Sequence, residues 1–373
     1  MKMWSYSLRL ILKKTVFVVL ICLSFQSIAT EIHFSHPGTR AAGLAGAFSA
    51  QGDDSSAIWY NPGSLVHYDF IQQDLTLDYG HRIINEISNS SPKLSTENYL
   101  KFAAFYKRSP TKLLGKSFGL GVAYFSPYKL RLFVDAPQSL VNENAFGAVT
   151  AEYHQLSPMI NVSVTPSTSI GVTFDVFWLN IDCLTYNPCV DYGPTGIASS
   201  FGLLHELVTS TDYSLRLSAT WHLKANLGYS STPNSGIGTV LVNYLPSRPD
   251  SKTLGLNWQV PTSKAVINSN IVLEKVSWSD TISKGKSLDN YINLASGVEF
   301  LSQTNAGKSY SVRMGGKIIN NEKTQKIDKA IATVGFGYEV IDSNILDISI
   351  IYEKFRGYDD DLTAWSISYS WQK

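Results

Sequence analysis

The sequence predicts an all-β fold, a transmembrane antiparallel β-barrel of about fourteen strands whose lumen is filled by an N-terminal segment, and three observations carry that expectation. Apolar and polar residues alternate with a period of two along most of the chain. The alternating segments run to about ten to fourteen residues, the length a tilted strand needs to cross a bilayer, whereas sandwich strands average about six. Aromatic residues close many of these segments, as at Trp178, Trp221, Trp278, Trp365 and Trp371, where the aromatic girdles of a membrane barrel lie. A soluble sandwich with one dry face shares the alternation but not the strand length.

Residues 1–29 read as a secretory signal peptide. Lys2, Arg9, Lys13 and Lys14 precede an apolar run from Thr15 to Phe25, and Ser27-Ile28-Ala29 is a small-x-small cleavage site. About eleven apolar residues fall short of the roughly twenty that span a hydrocarbon core. Cys22 follows Ile21, where a lipoprotein site has a small residue. Cys183 and Cys189 in "DCLTYNPCVDYG" have five residues between them. In an oxidising compartment that pair predicts a loop-stapling disulfide. Two thiolates with no neighbouring His or second pair are too few for a closed zinc site, so no metal is expected. Of the 31 Lys and Arg residues four lie in the leader, which leaves 27 against 30 Asp and Glu. A slightly acidic chain predicts no nucleic-acid partner.

Residues 30–70 do not alternate. Gly38, Gly43, Gly46, Gly52 and Gly63, with Ala41, Ala42, Ala45, Ala47, Ala50 and Ala57, make a segment able to lie close to other backbone. Asp53-Asp54-Ser55-Ser56 offers side-chain acceptors to a helix start. The turn it begins, over Ser55 to Trp59, should stop at Asn61, because Pro62 biases the residue before it to extended backbone. A barrel this wide has an open lumen unless something fills it, and this segment is placed to fill it from the periplasmic side.

The barrel occupies 71–373, with strands expected near 71–83, 97–108, 117–125, 150–164, 168–181, 197–208, 212–230, 238–260, 265–278, 290–302, 308–320, 329–340, 345–356 and 362–371. Tyr310, Val312, Met314 and Ile318 oppose Ser311, Arg313 and Lys317, and Trp365, Ile367, Tyr369 and Trp371 oppose Ala364 and three serines. Tight links such as "TPST", "STD", "PTSK" and "IDSN" alternate with long ones at 84–96, 126–149, 182–196, 279–289 and 321–328. Short turns on the periplasmic side put both termini there. Pro233, Pro246 and Pro249 make 231–250 the least strand-like stretch.

The stretch "GTRAAGLAGAFSAQGDDSSAIWYNPGSL" resembles the N-terminal hatch signature of the FadL-type long-chain fatty acid transporters. The match runs through Gly38, Arg40, Gly43, Gly46, Ala47, Phe48, Asp53, Asp54, Ser56, Asn61, Pro62 and Leu65. "LPSRPDSKTLGLNWQV" and "KVSWSD" are similar to a second, weaker pattern of the family. Gly63 stands where the family usually has Ala, Ala45-Gly46 where it has a Gly pair, and the chain ends Trp371-Gln372-Lys373 rather than on an aromatic. The resemblance implies a fourteen-stranded barrel in the outer membrane of a Gram-negative bacterium. Hydrophobic molecules such as long-chain fatty acids would diffuse through it past a hatch built on Gly38, Arg40, Gly43, Gly46, Asp53, Asp54, Asn61 and Pro62, with movement expected at Asn61-Pro62. Outer-membrane lipid and the barrel assembly machinery are its implied partners.

The stretch Tyr128 to Val149 is the expected outer-loop groove, where Leu132, Phe133 and Phe146 would bury apolar ligand surface at about 25 cal/mol per Å². Lys129 and Arg131 could meet a carboxylate head group. No enzyme is expected and no cofactor: the seven histidines lack metal-like spacing, and no nucleophile elbow or phosphate loop occurs. His154 and His205-Glu206 are expected to face the lumen, and Arg216, Arg313, Asp347 and Glu353 to be its solvated lining. The other function open to such a barrel is a protein-binding or secretion-shuttle component without lipid transport.

Overall fold

A computed structural model describes residues 31–34, 36–68, 71–87, 92–113, 115–135, 146–183, 195–225, 248–278, 290–324, 326–355 and 361–372. The stretch expected to be a signal peptide and Cys189 lie outside the described residues, as does the side chain of Cys183, so the expected disulfide lies outside them too. The strands are β1 (Glu31–Phe34), β2 (Gln72–Ile87), β3 (Pro92–Leu113), β4 (Lys116–Phe125), β5 (Tyr128–Asp135), β6 (Phe146–Thr165), β7 (Thr168–Cys183) and β8 (Thr195–Thr209). They continue with β9 (Ser214–His222), β10 (Asp250–Pro261), β11 (Ala265–Ser277), β12 (Tyr291–Gln303), β13 (Ser309–Asn321), β14 (Lys326–Ile341), β15 (Asn344–Phe355) and β16 (Asp361–Gln372). Among the described residues no helix is long and apolar enough to cross a membrane.

Fourteen of these strands close on themselves. β16 returns to β2, and β6 pairs with both β4 and β7, so β2 to β4 and β6 to β16 form one antiparallel ring. Closure satisfies backbone N–H and C=O groups that hydrocarbon would leave unpaired. The strand faces follow the expected period: on β7 Phe174 is 56% exposed while Phe177 is 1% exposed. The outward face carries a band of Leu, Ile, Val and Phe, and the inward face carries buried Ser, Thr, Asn and charged residues. Only a membrane-spanning barrel makes that inversion stable.

Aromatic belts bound the band. Tyr79 meets Trp365 with ring centroids 5.3 Å apart, and Tyr124 meets Trp178 at 5.9 Å, at the end with the long links. Tyr213, Trp258 and Trp371 are exposed near the other end. From Tyr213 to Trp221 a strand tilted by about 40° climbs about 20 Å. Trp278 does not belong to a belt. It is fully buried on the inward side, packed in a cluster with Val276 and Tyr291.

Two regions depart from expectation. Of the strands expected at 212–230 and 238–260, the first ends at His222 and the second begins at Asp250, with a lone bridge between Ala225 and Arg248. Residues 226–247 lie outside the described residues. The link expected at 126–149 contains strand at 128–135 and 146–149: β4 pairs with β6 up to Phe125 opposite Gln155, and β5 resumes with Lys129 opposite Glu152. The two pieces are one strand broken at Ser126-Pro127, where proline supplies no N–H.

That break opens the ladder. Pairing of β3 with β4 ends at Ala104 opposite Tyr124, although β3 continues to Pro92 on the β2 side. Along the edge of β5 where β3 would continue, β1 pairs instead, Phe34 opposite Tyr128 and Glu31 opposite Arg131. Beyond Tyr124, no ladder joins β3 to its neighbour among the described residues. Glu31, the first described residue, therefore lies beside β5, toward the long-link end.

Candidate functional site

Residues 36–68 lie inside the ring, and nearly every one is buried. They contain two short helices, Thr39–Ala42 and Ala57–Tyr60, and a turn of 3-10 helix at Leu65–His67. The expected helix start holds in a modified form. Asp54 Oδ1 accepts from the Ser56 N–H at 2.9 Å and from its hydroxyl at 2.5 Å, and Ala57, Ile58 and Trp59 then bond back to Asp54, Ser55 and Ser56. Asn61 is extended, as the proline after it requires.

One side of the segment is held by charge. Arg40 donates to Glu299 of β12 at 2.8 and 2.7 Å and to Asp53 at 3.0 Å, and its guanidinium lies 5.5 Å from the centre of the Phe48 ring. Glu299 is fully buried and also accepts from Arg313 at 2.7 Å, Gln51 at 2.5 Å and Asn268 at 3.2 Å. Arg313 passes the chain on to Asp347 of β15. Charge-assisted bonds of this kind are about twice as strong as neutral ones, and here they join the segment to three wall strands. Next to them Thr39 Oγ1 lies 2.7 Å from Ser366 Oγ, Ser349 donates to the Thr39 carbonyl, and Thr333 donates to the Gly43 carbonyl.

The opposite side is held by Asn61-Pro62-Gly63. Asn61 Nδ2 donates to the carbonyls of Ser49 and Leu203, Asn161 donates to the Pro62 carbonyl at 3.0 Å, and Ser169 donates to the Gly63 carbonyl at 2.6 Å. This is where movement was expected, and it is one of the segment's firmest attachments. Trp59 is wedged between Phe125 of β4, edge-on at 5.1 Å, and His222 of β9, stacked at 4.3 Å. Around these, Leu44, Phe48, Ile58 and Leu65 pack on Phe105, Phe125 and Met159 of the wall.

All eight residues expected to form the hatch are thus brought together. Gly38 and Gly46 have positive φ, 89° and 77°, a backbone that favours glycine. The groove residues Lys129, Arg131, Leu132 and Phe133 fall on β5, and Phe146 on β6 opposite Asp135. They share a short sheet rather than a loop, and their side chains lie outside the described residues. Arg313, Asp347 and Glu353 are not solvated lining: Arg313 and Asp347 belong to the clamp, and Glu353 pairs with Lys329. Arg216 bonds Glu206 at 3.0 Å and the Tyr68 hydroxyl at 2.7 Å.

His154 and His205 face away from the lumen. His154 lies in the outer belt, where its ring, Tyr124 and Trp178 make a mutual cluster with centroids 5.7 to 6.1 Å apart, and its neighbour Tyr153 is the residue that turns inward. A buried group of Asp175, Ser200, His222 and Arg248 has the residue types of a nucleophile relay in the wrong order. The Ser200 hydroxyl donates to Asp175 at 2.7 Å and sits 2.8 Å from His222 Nδ1, so serine and not histidine stands in the middle. Glu299, Gln51, Asn268 and the wall glycines Gly171 and Gly202 were missed. A glycine inside a strand marks close approach of another backbone, and that signal was available.

The segment separates two recesses. A cavity of about 100 Å³ on the short-turn side is bordered by Arg40, Asp53, Asp54, Asp74, Arg313 and Asp347. One of about 50 Å³ lies toward the other end, between Trp59, Tyr60 and the inner faces of β9 to β13. Burial, aided by the carboxylates of Asp74 and Asp53 and opposed by Arg40, pushes the Asp54 carboxyl up to about 7. A free Asp54 ionises near 3.8, so the docked segment holds an extra proton between those values. Docking should then be favoured below about pH 4 and weaken as pH rises through about 7. Arg40 and Asp53 on the segment, Asp74 on β2 and the Glu299, Arg313 and Asp347 chain on the wall face this group. Protease protection of residues 36–68 should fall from pH 5 to pH 8, and Asp54→Asn should make that profile flat; an unchanged slope in the variant would assign it to another group.

No family model and no curated protein matches the sequence. Solved structures do. A FadL homologue from Pseudomonas aeruginosa superposes with a TM-score of 0.58 at 12% identity, covering 93% of this chain and 99% of that one. The toluene transporter TbuX of Ralstonia pickettii gives 0.57 at 14% identity, covering 90% and 97%. The toluene transporter TodX of Pseudomonas putida gives 0.56 at 12% identity, covering 89% and 97%. The closed antiparallel ring described above is therefore a barrel fold that this chain shares with a FadL homologue and with the toluene transporters TbuX and TodX.

Proposed function

We propose that this protein is a passive channel of the Gram-negative outer membrane that takes up hydrophobic small molecules, fatty acids or compounds of similar character, without catalysis. The observation that carries the reading is the pairing of a plugged lumen with a broken wall. Pro127 borders the recess on the outer side of the segment and is also the point where the β4–β5 strand is interrupted. A molecule that reached this recess would find the ladder between β3 and its neighbour already open, so lateral exit needs no expulsion of the segment. Likeness in fold to proteins described as toluene transporters supports the same class of cargo.

Gating by the N-terminal segment then means a local shift near Trp59 and the β1–β5 edge, not a hinge at the tethered Asn61-Pro62. A disulfide between Thr39→Cys and Ser366→Cys tests this, because the native hydroxyl oxygens lie 2.7 Å apart. Toluene entry into vesicles should persist after oxidation. Loss of entry on oxidation, regained on reduction, would show that the segment leaves the lumen instead.

A further inference from the structure

The outer recess is not purely apolar, and its polar atoms are unusual. The side chains of His36, Tyr60 and Asn293 all border it. His36 Nε2, the Tyr60 hydroxyl and Asn293 Oδ1 are buried and have no hydrogen-bond partner among the described residues. Buried polar atoms are otherwise bonded in folded proteins, and each one left bare is costly. Three around one cavity indicate a site that a ligand completes.

Their chemistry restricts the ligand. Asn293 Nδ2 donates to Glu274 at 2.9 Å, which fixes the amide and leaves Oδ1 as an acceptor waiting for a donor. Tyr60 is held in place by the Thr220 hydroxyl on its carbonyl at 2.8 Å and by edge contact of its ring with Phe48 at 5.7 Å. Gly46 makes the room: a Cβ there would stand 2.9 Å from the His36 ring and 3.8 Å from the Tyr60 ring. Burial, then Lys317, Lys329 and Lys101, hold His36 well below its ordinary range, so it stays neutral. Lys317 is engaged with Glu274 at 3.7 Å.

We propose that this recess is a head-group site for neutral hydroxyl-bearing hydrophobic molecules, phenols or aliphatic alcohols, whose O–H donates to Asn293 Oδ1 and whose oxygen accepts from the Tyr60 hydroxyl. His36 supplies the third polar contact, and Trp59, Pro127 and Val272 offer apolar surface to the body of the ligand. An ionised carboxylate has no proton to give Asn293 and meets the Glu274 charge. A plain hydrocarbon leaves all three atoms bare. The 50 Å³ of the recess suits a head group, with the body extending toward the open side.

The inference rests on the uptake reading but is tested apart from it. p-Cresol, toluene and 4-methylbenzoate share a methylated ring and differ in the group that would enter the site. With the full mature chain in lipid nanodiscs, p-cresol should bind about tenfold more tightly than either of the others, the scale of one or two hydrogen bonds to buried partners. Tyr60→Phe should remove most of that preference by weakening p-cresol binding. Asn293→Thr serves as a second variant should the first not fold, with heat-shifted gel mobility reporting the folded barrel. Equal binding of the three compounds, a preference that survives both variants, or ordered waters that p-cresol does not displace would overturn the site. Entry of toluene into vesicles reads the uptake proposal alone: failure there with intact cresol selectivity refutes transport and not the site.

Discussion

Replacing Glu299 by Gln is expected to loosen the N-terminal segment while leaving the barrel closed. The carboxylate is fully buried and accepts from Arg40, Arg313, Gln51 and Asn268, so four side chains converge on two oxygens. Glutamine keeps the shape but turns one oxygen into a donor facing guanidinium donors. Arg40 keeps Asp53 and Arg313 keeps Asp347, which limits the damage. Breaking one partner out of a buried charge network nevertheless costs about 3 kcal/mol, because the remaining charges stay buried and poorly compensated. The strand ladders of β12 with β11 and β13 do not depend on this side chain. The variant should therefore show wild-type heat-shifted mobility but faster proteolysis within residues 36–68 and frequent ion-conducting openings in planar bilayers. Adding Arg313→Gln should deepen the loss, because it also takes the partner from the buried Asp347 carboxylate. A silent, protease-resistant single variant would mean that the charge chain does not hold the segment.

The barrel was legible because its signal is local. Membrane strands must present lipid on one side and polar lumen on the other, so Val312 and Met314 against Ser311 and Arg313 reveal both strand and face without any knowledge of neighbours. Twelve of the fourteen expected wall strands lie close to where the alternation put them, and both misplaced limits fall beside the proline-rich 231–250. β5 was overlooked because a Pro127 break followed by only a few alternating residues reads as loop. What alternation cannot report is what an inward residue meets. Arg313, Asp347 and Glu353 were expected to face water, since a polar inward position looks the same whether the lumen is wet or filled. Their partners are set by tertiary structure: Arg313 meets Asp347 and the Glu299 that Arg40 also holds, and Glu353 meets Lys329 on the neighbouring strand. Trp278 failed for a related reason, its position at a strand end suggesting a belt while the parity of β11 sends it inward.

Introducing the alanine of the hatch signature that this stretch resembles should harm this protein. Gly63 stands where the resemblance puts Ala, and the family pattern alone would make Gly63→Ala harmless or mildly stabilising through the unfolded chain. The local packing argues the reverse. A Cβ at Gly63 would stand 2.7 Å from the Gly202 carbonyl oxygen and 3.1 Å from Asn61 Oδ1. Gly202 and Gly171 are themselves glycines in wall strands for the same reason, a Cβ on Gly171 falling 2.3 Å from the Pro62 carbonyl oxygen. Three glycines thus let Asn61-Pro62-Gly63 lie against β7 and β8 closely enough for Asn161 and Ser169 to bond its carbonyls. The two nearest obstacles are backbone atoms of Gly202, which no side-chain rotation relieves, and overpacking of this kind costs about 1–3 kcal/mol. Gly63→Ala should expose the segment to protease near Asn61 and weaken its docking in urea. Gly316→Ala is the control: its nearest neighbour, the Ile331 carbonyl oxygen, would be 3.7 Å away, an ordinary contact. Equal stability of the two variants would show that the wall can yield around residue 63, and that this chain tolerates the family's alanine after all.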